Sequence, residues 1–153
     1  MSHEARLAQL QLELPPAPKP VATYVPAVRV GNLLYVSGHG PLRPDGSLIV
    51  GRLGADLDLA AGAAAARQVG LAMLATLRAQ LGTLDRVVRL IKVLGLVRST
   101  DEFADQSKVI NGFSDLMVDV FGDAGKAARS AVGTNSLPGG IAVEIEAIFE
   151  IKD

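Results

Sequence analysis

Three ionisable side chains in the last quarter of this 153-residue chain are placed to do chemistry: Arg129, Glu144 and Glu146. A guanidinium is planar, keeps its charge, and can grip a carboxylate through two parallel hydrogen bonds. A carboxylate beside a held molecule can take a proton from water as the water attacks. The segments that carry these groups alternate like strands. Arg129-Ser130-Ala131-Val132-Gly133-Thr134 is followed by Asn135-Ser136-Leu137-Pro138-Gly139-Gly140, and then by Ile141-Ala142-Val143-Glu144-Ile145-Glu146-Ala147-Ile148. The middle cluster reads as the loop of a β-hairpin. The expected register sets Arg129 opposite Glu144, Ser130 opposite Val143, Ala131 opposite Ala142 and Val132 against Ile141. One face then carries Ser130, Val132, Ile141, Val143 and Ile145, and the other carries Arg129, Glu144 and Glu146 among small residues. A structural ion pair across the hairpin is the competing reading of the same residues.

The preceding elements must position that pair. Residues 1–20 read as a short helix over Ser2 to Leu12, with Leu7, Leu10 and Leu14 on one side. The proline-rich stretch Pro15-Pro16-Ala17-Pro18-Lys19-Pro20 ends it, giving a surface extension without a catalytic role. Residues 21–153 form the domain proper. Tyr24 to Val30 and Leu33 to Ser37 are strands joined tightly at Gly31-Asn32, and Ser47 to Leu53 is a further strand candidate. Asp58 caps a helix over Leu59 to Leu81 that stops at Gly82. Its inward stripe is Ala63, Ala66, Gly70, Met73, Leu74, Leu77 and Leu81. Val87 to Val97 is nearly continuously apolar, the pattern of a central strand buried on both faces. Ser99-Thr100-Asp101-Glu102 offers capping for a second helix that runs to about Phe121, with Phe103, Ile110, Phe113, Met117 and Phe121 facing inward. A single sheet with both helices on one face satisfies this order, an α+β fold whose charged face awaits a cover.

Composition narrows the function. The chain is one domain, and its 49% hydrophobic content suits a packed core. With no Trp, 2 Tyr and 4 Phe, that core is mostly Leu, Val, Ile and Ala. The apolar excess points to sheet surface buried by other subunits. A net charge of −1 without a Lys/Arg cluster disfavours nucleic acid. No cysteine is present, so a thiolate nucleophile or zinc-thiolate site is excluded, and His3 and His39 do not form a metal-ligand pair. No metal or cofactor is expected. The N-terminus lacks a signal-peptide core and no apolar run reads as a membrane span, so a cytoplasmic protein with no membrane partner is expected.

Three segments together resemble the Rid family, also called YjgF-like or endoribonuclease L-PSP. They are Gly31-Asn32-Leu33-Leu34-Tyr35-Val36-Ser37-Gly38, then Asp101-Glu102-Phe103-Ala104 with Asn111, and finally Arg129-Ser130-Ala131-Val132 with Val143-Glu144-Ile145-Glu146-Ala147. The resemblance covers about residues 20–151. It implies a chorismate-mutase-like homotrimer, with sheets lining a central barrel and clefts between subunits. It also implies cofactor-free hydrolysis of reactive imines and enamines of small 2-oxo acids, of the 2-iminobutanoate and 2-iminopropanoate type. By the same resemblance Arg129 binds the substrate carboxylate, Glu144 attends the attacking water, Tyr24 closes the pocket and Asn111 lies near the interface. The main chain of Ala131 is placed to meet the imine nitrogen. Ala131 stands where deaminating members often have cysteine, Ala128 where they often have proline, and His39 where glutamine is frequent.

Without the resemblance, Tyr24 reads as an ordinary strand aromatic, Asn111 as a helix-surface residue and His39 as a loop histidine making structural hydrogen bonds. Glu146 takes a structural role first. Ser37 lacks a local base for nucleophilic chemistry, and Gly38-His39-Gly40 is too short to cradle phosphate. The alternative function is a non-catalytic module of the same fold that holds a small carboxylate metabolite. Ribonuclease or translation-inhibitor activity comes third, because single-stranded RNA grooves need charge and aromatics that are sparse here.

Overall fold

The computed structural model describes residues 1–153. Eight main elements occur in order: α1 (His3–Gln9), β1 (Ala27–Val30), β2 (Leu33–His39), α2 (Leu59–Leu81), β3 (Val87–Arg98), α3 (Gln106–Phe121), β4 (Ala128–Thr134) and β5 (Val143–Ile151). The five strands make one mixed sheet in the order β1-β2-β5-β3-β4, and α2 and α3 pack together over one face of it. That is the α+β single-sheet arrangement expected.

The expected hairpin is absent. Helices α2 and α3 act as crossovers: α3 returns the chain so that β4 lies parallel to β3, with Val93 beside Arg129. The last strand, β5, then runs antiparallel to both β2 and β3 and fills the slot between them. The segment 135–142 is therefore a bridge over the end of β3, anchored where the Arg98 amide donates to the Ala142 carbonyl and the Ser99 amide to the Thr134 carbonyl. Its Gly and Pro content reflects a turn at Pro138–Gly140 within that bridge. Because β3 separates β4 from β5, none of the expected cross-strand pairs forms.

The helix-covered face is the core. Alternate residues of β5, from Val143 through Ile145, Ala147, Phe149 and Ile151, are buried in it. Strand β3 alternates as well, burying Leu90, Val93 and Val97, so the double-sided burial expected of it does not occur within one chain. Its other side chains, with Glu144, Glu146 and Ile148 of β5, stand on the uncovered face.

Helix α2 has the expected bounds. The Asp58 side chain accepts from the Ala61 amide, and Gly82 closes the helix at φ +82. Its 23 residues are long and apolar enough to cross a membrane by composition, but the apolar side chains are spent on the core: Ala65, Ala66, Val69, Met73, Leu74 and Leu77 are fully buried. Helix α3 lies close enough that a Cβ at Gly112 would stand 2.0 Å from the Ala63 carbonyl oxygen. It starts at Gln106 rather than at Ser99 or Thr100, whose amides continue the sheet's bonding to Thr134 and Leu53. Phe103 accordingly precedes the helix and packs partly buried against the core. The stretch 47–53 contributes only isolated bridges, Leu42 with Leu48 and Val50 with Ile141 among them.

Helix α1 forms where expected but is tied in firmly. Leu7 is 4% exposed within the main core, the Glu4 carboxylate pairs with Arg78 and accepts from the Leu84 amide, and Arg6 donates to the Asp119 carbonyl. The extension is part of the hydrophobic core rather than a loose surface addition.

Candidate functional site

Arg129 and Glu144 are held on opposite sides of the sheet. Both Arg129 and Ala147 lie beside Val93, on the helix-covered side, whereas Val132 and Glu144 lie beside Leu96 on the open side. The expected shared face is thus corrected: Ser130 and Val132 accompany Glu144 and Glu146, while Arg129 and Ala131 accompany Val143 and Ile145. A one-residue difference in strand parity is enough to exchange every side chain between faces.

Arg129 is docked against α3. Its Nη1 donates to Asn111 Oδ1 at 2.9 Å and Ser114 Oγ at 3.1 Å, and its Nη2 donates to the Ser107 carbonyl at 3.2 Å. These acceptors share one helix face because residues three and four apart stack. The spacing of Ser107, Asn111 and Ser114 is present in the sequence, although only Asn111 belongs to the resembling segments. Three of the five guanidinium hydrogens are used. The Nε–H and one Nη2–H have no acceptor within the chain, the number a carboxylate takes in a bidentate grip. Ala131, two residues on, is partly buried against the core, and β4 is an edge strand whose outer peptide groups have no strand partner.

Glu144 occupies the second cluster. It lines a pocket of about 440 Å³ with Tyr24, Ser37, Gly38, His39 and the segment Pro18–Val21. Tyr24 stands 46% exposed at this pocket. The β2 backbone passes so near that a Cβ at Gly38 would sit 3.1 Å from the Glu144 carboxyl carbon. Burial, and then the neighbouring charge of Glu146, raise the Glu144 carboxyl above the ordinary carboxylate range. No cation pairs with it inside the chain.

His39 is 5% exposed and shapes this pocket from behind. One ring nitrogen, Nδ1, lies 2.6 Å from the Ser37 carbonyl, which can only accept, so Nδ1 carries the proton. Nε2 then accepts from the Thr76 hydroxyl at 2.7 Å. The ring pins the irregularity of β2 between Val36 and His39, directly behind Gly38. The hydrogen bonds are the structural ones expected of it, but His39 ends strand β2 instead of lying in a loop. The Ser37 hydroxyl donates to the Val25 carbonyl at 2.6 Å and has no base beside it.

Glu146 stands exposed on the same open face as Glu144 and lines a separate cavity of about 430 Å³ with Tyr35, Lys92 and Ile148. No three His, Asp or Glu side chains converge to hold a metal ion. The fold therefore presents two separate clusters: an anchored guanidinium at the β4–α3 edge, and a carboxylate in a pocket on the other side.

A single mixed sheet backed by two helices, with an Arg–Asn cluster at one edge and a Glu–Tyr pocket on the open side, defines the class. The family model described as "YjgF/chorismate mutase-like, putative endoribonuclease" matches residues 4–143, and the chain belongs to that family. Protein TCP17 of Trypanosoma cruzi is 43% identical over 150 residues, spanning 97% of this chain and 94% of that one. A crystal structure described as a putative endoribonuclease from Shewanella oneidensis MR-1 superposes with TM-score 0.94 at 30% identity, covering 99% of this chain and 100% of that one. RidA from the Antarctic bacterium Psychrobacter sp. PAMC 21119 superposes with TM-score 0.63, also at 30% identity, over 88% and 94% of the two chains.

Proposed function

We propose that the chain is a cofactor-free hydrolytic deaminase of imines and enamines of small 2-oxo acids, working as a homotrimer with its sites between subunits. The observation that carries this reading is the free bidentate face of Arg129 beside an edge strand, with Glu144 lining a pocket on the opposite side of the sheet. One chain cannot bring the two together. A ring of chains can, if the β4–α3 edge of one meets the open face of the next. The apolar side chains exposed there, Val28, Val30, Tyr35 and Val132, support burial of that face by a neighbour.

In the assembled cleft, Arg129 holds the substrate carboxylate and Asn111 and Ser114 fix the guanidinium plane. Orientation supplies much of the rate, since the C=N carbon is presented to one position. Water at that position adds to the carbon while Glu144 takes its proton. The proton is returned to nitrogen, giving a carbinolamine. Glu144 then takes the proton of its hydroxyl and passes it to the amino group, so that C=O forms as the C–N bond breaks, and ammonia and the 2-oxo acid leave. Tyr24 covers the pocket mouth, and the outer peptide edge of β4 at Ala131 is available to the imine nitrogen.

A carboxylate-binding module without turnover is the second reading, favoured by one observation. Glu144 is pushed toward its protonated form by burial and by Glu146, which leaves less of the base form available. The experiment that separates the two is release of 2-oxo acid from freshly generated 2-iminobutanoate and 2-iminopropanoate, with wild type, Arg129→Ala and Glu144→Gln in parallel. Acceleration that depends on both residues supports the hydrolase. Arg129-dependent binding with no acceleration over buffer supports the module.

A further inference from the structure

The proline-rich segment between α1 and β1 is a wall of the Glu144 pocket, formed by Pro18, Lys19, Pro20 and Val21. Its upstream end is fixed. Pro15 is buried, Leu12 and Leu14 pack partly buried against the core, and Leu7 of α1 lies inside it. The prolines stiffen the stretch beyond Pro15, because proline fixes its own φ and holds the residue before it extended. Lys19, between Pro18 and Pro20, is thus carried on a rigid strap. It is exposed, makes no hydrogen bond or ion pair within the chain, and is the pocket's one Lys or Arg, as Glu144 is its one acid.

We propose that Lys19 is a specificity-determining residue that binds a second acidic group on the ligand, so that the pocket selects 2-oxo and 2-imino acids bearing a side-chain carboxylate. Such a ligand brings a second negative charge towards Glu144, and the ammonium of Lys19 offsets that repulsion. A flexible stem ending in a point charge suits side chains of more than one length. The assignment of the reaction rests on the hydrolase reading; the binding preference does not.

The test is calorimetric titration of the full chain with 2-oxoglutarate and with 2-oxobutanoate at low salt, for wild type, Lys19→Ala and Lys19→Arg. The expected ratio of affinities favours 2-oxoglutarate by about five-fold in wild type, a typical worth for a partly exposed charge pair. The ratio collapses towards one in Lys19→Ala, is retained in Lys19→Arg, and declines as salt is added. An equal ratio in wild type and Lys19→Ala overturns the proposal, as does no measurable binding of 2-oxoglutarate. Turnover of 2-iminoglutarate and 2-iminobutanoate is measured alongside. A Lys19-dependent binding ratio without turnover removes the hydrolase reading and leaves the role of Lys19 standing. Turnover of both imines with no Lys19-dependent ratio does the reverse.

Discussion

Arg129 and Glu144 project from opposite sides of the same sheet, with β3 between the strands that carry them. A site using both must draw them from different chains. Mixed assemblies therefore provide a test of the proposed function: Arg129→Ala and Glu144→Ala, each expected to be inactive alone, are co-refolded. Random mixing rebuilds a cleft with both native residues about one time in four, because each partner is chosen independently from two pools. Recovery of activity at that level marks a shared cleft, and no recovery means that each chain works by itself.

Asn111 and Ser114 hold the Arg129 guanidinium, so under the proposed function they act on the ligand through it. Losing one acceptor leaves the guanidinium freer to turn and removes a charge-assisted hydrogen bond, worth roughly 1–2 kcal/mol. Asn111→Ala should weaken carboxylate binding about ten-fold, and Arg129→Lys should weaken it further because the planar fork is lost. Titration with 2-oxobutanoate measures both; unchanged affinity in Asn111→Ala would mean that the guanidinium is held by other means.

The raised Glu144 carboxyl sets a pH profile. The base form is lost as pH falls, so hydrolysis should decline at a higher pH than an ordinary carboxylate would give. Glu146→Gln removes the second cause of the shift and should move the midpoint down. The sign for stability is opposite: folding favours protonated Glu144, so its contribution falls as pH rises from the unfolded carboxyl's titration through the folded one. Glu144→Gln should flatten that part of the stability profile. A pH–rate curve and a denaturation series across the acid range read out both.

How much of the fold is legible in the sequence depends on which contacts are local. The start and stop of α2 are readable because Asp58 and Gly82 act on their own helix. The β1–β2 turn at Gly31 is readable for the same reason, with Gly31 at φ +60. The order of strands is not, because nothing inside 129–148 encodes that β3 separates the two halves. Two alternating segments around a Gly/Pro loop look alike whether they pair with each other or with a third strand. Only the helix between β3 and β4 argues for the parallel return. Residues 99–102 mislead similarly: Ser99 and Thr100 continue the sheet's bonding to Thr134 and Leu53, and none of the four side chains caps the helix, which begins only at Gln106. Of the site, the residue types at 129, 144, 24 and 111 are legible, whereas their division between two faces is a property of the strand order. Lys19 carries no local signal at all, since its meaning depends on where a linker lies.

His39 is buried neutral, and burial lowers its pKa although the Ser37 carbonyl pulls it upward. Its contribution is complete above the unfolded histidine value, about 6.5, and is lost as pH falls through the lower folded value. The melting temperature of wild type should drop across that interval, and that of His39→Gln should change little there. His39→Ala leaves the Thr76 hydroxyl and Ser37 carbonyl without their partner and should destabilise by about 1–3 kcal/mol. A pH-independent wild-type melting curve between pH 5 and about 7 would argue against this.

Two packing sites can be probed by denaturant titration. Leu7→Ala should destabilise by about 2–4 kcal/mol if α1 belongs to the core, and by little if it is an appendage. Gly112→Ala forces a methyl against the Ala63 carbonyl and should separate α2 from α3, at a penalty of about 1–3 kcal/mol or more.

The insertion of β5 between β2 and β3 also dictates when the fold can form. A chain emerging from the ribosome displays β2, β3 and both helices before the strand that joins them has been made. Until then the inner edges of β2 and β3 are open, and both can pair with the wrong partner. Closing the sheet brings Leu33 beside Glu150, residues far apart along the chain, so the decisive contacts are non-local and slow to form. Yield in the cell should therefore depend on how well nascent and newly released chains are shielded during synthesis.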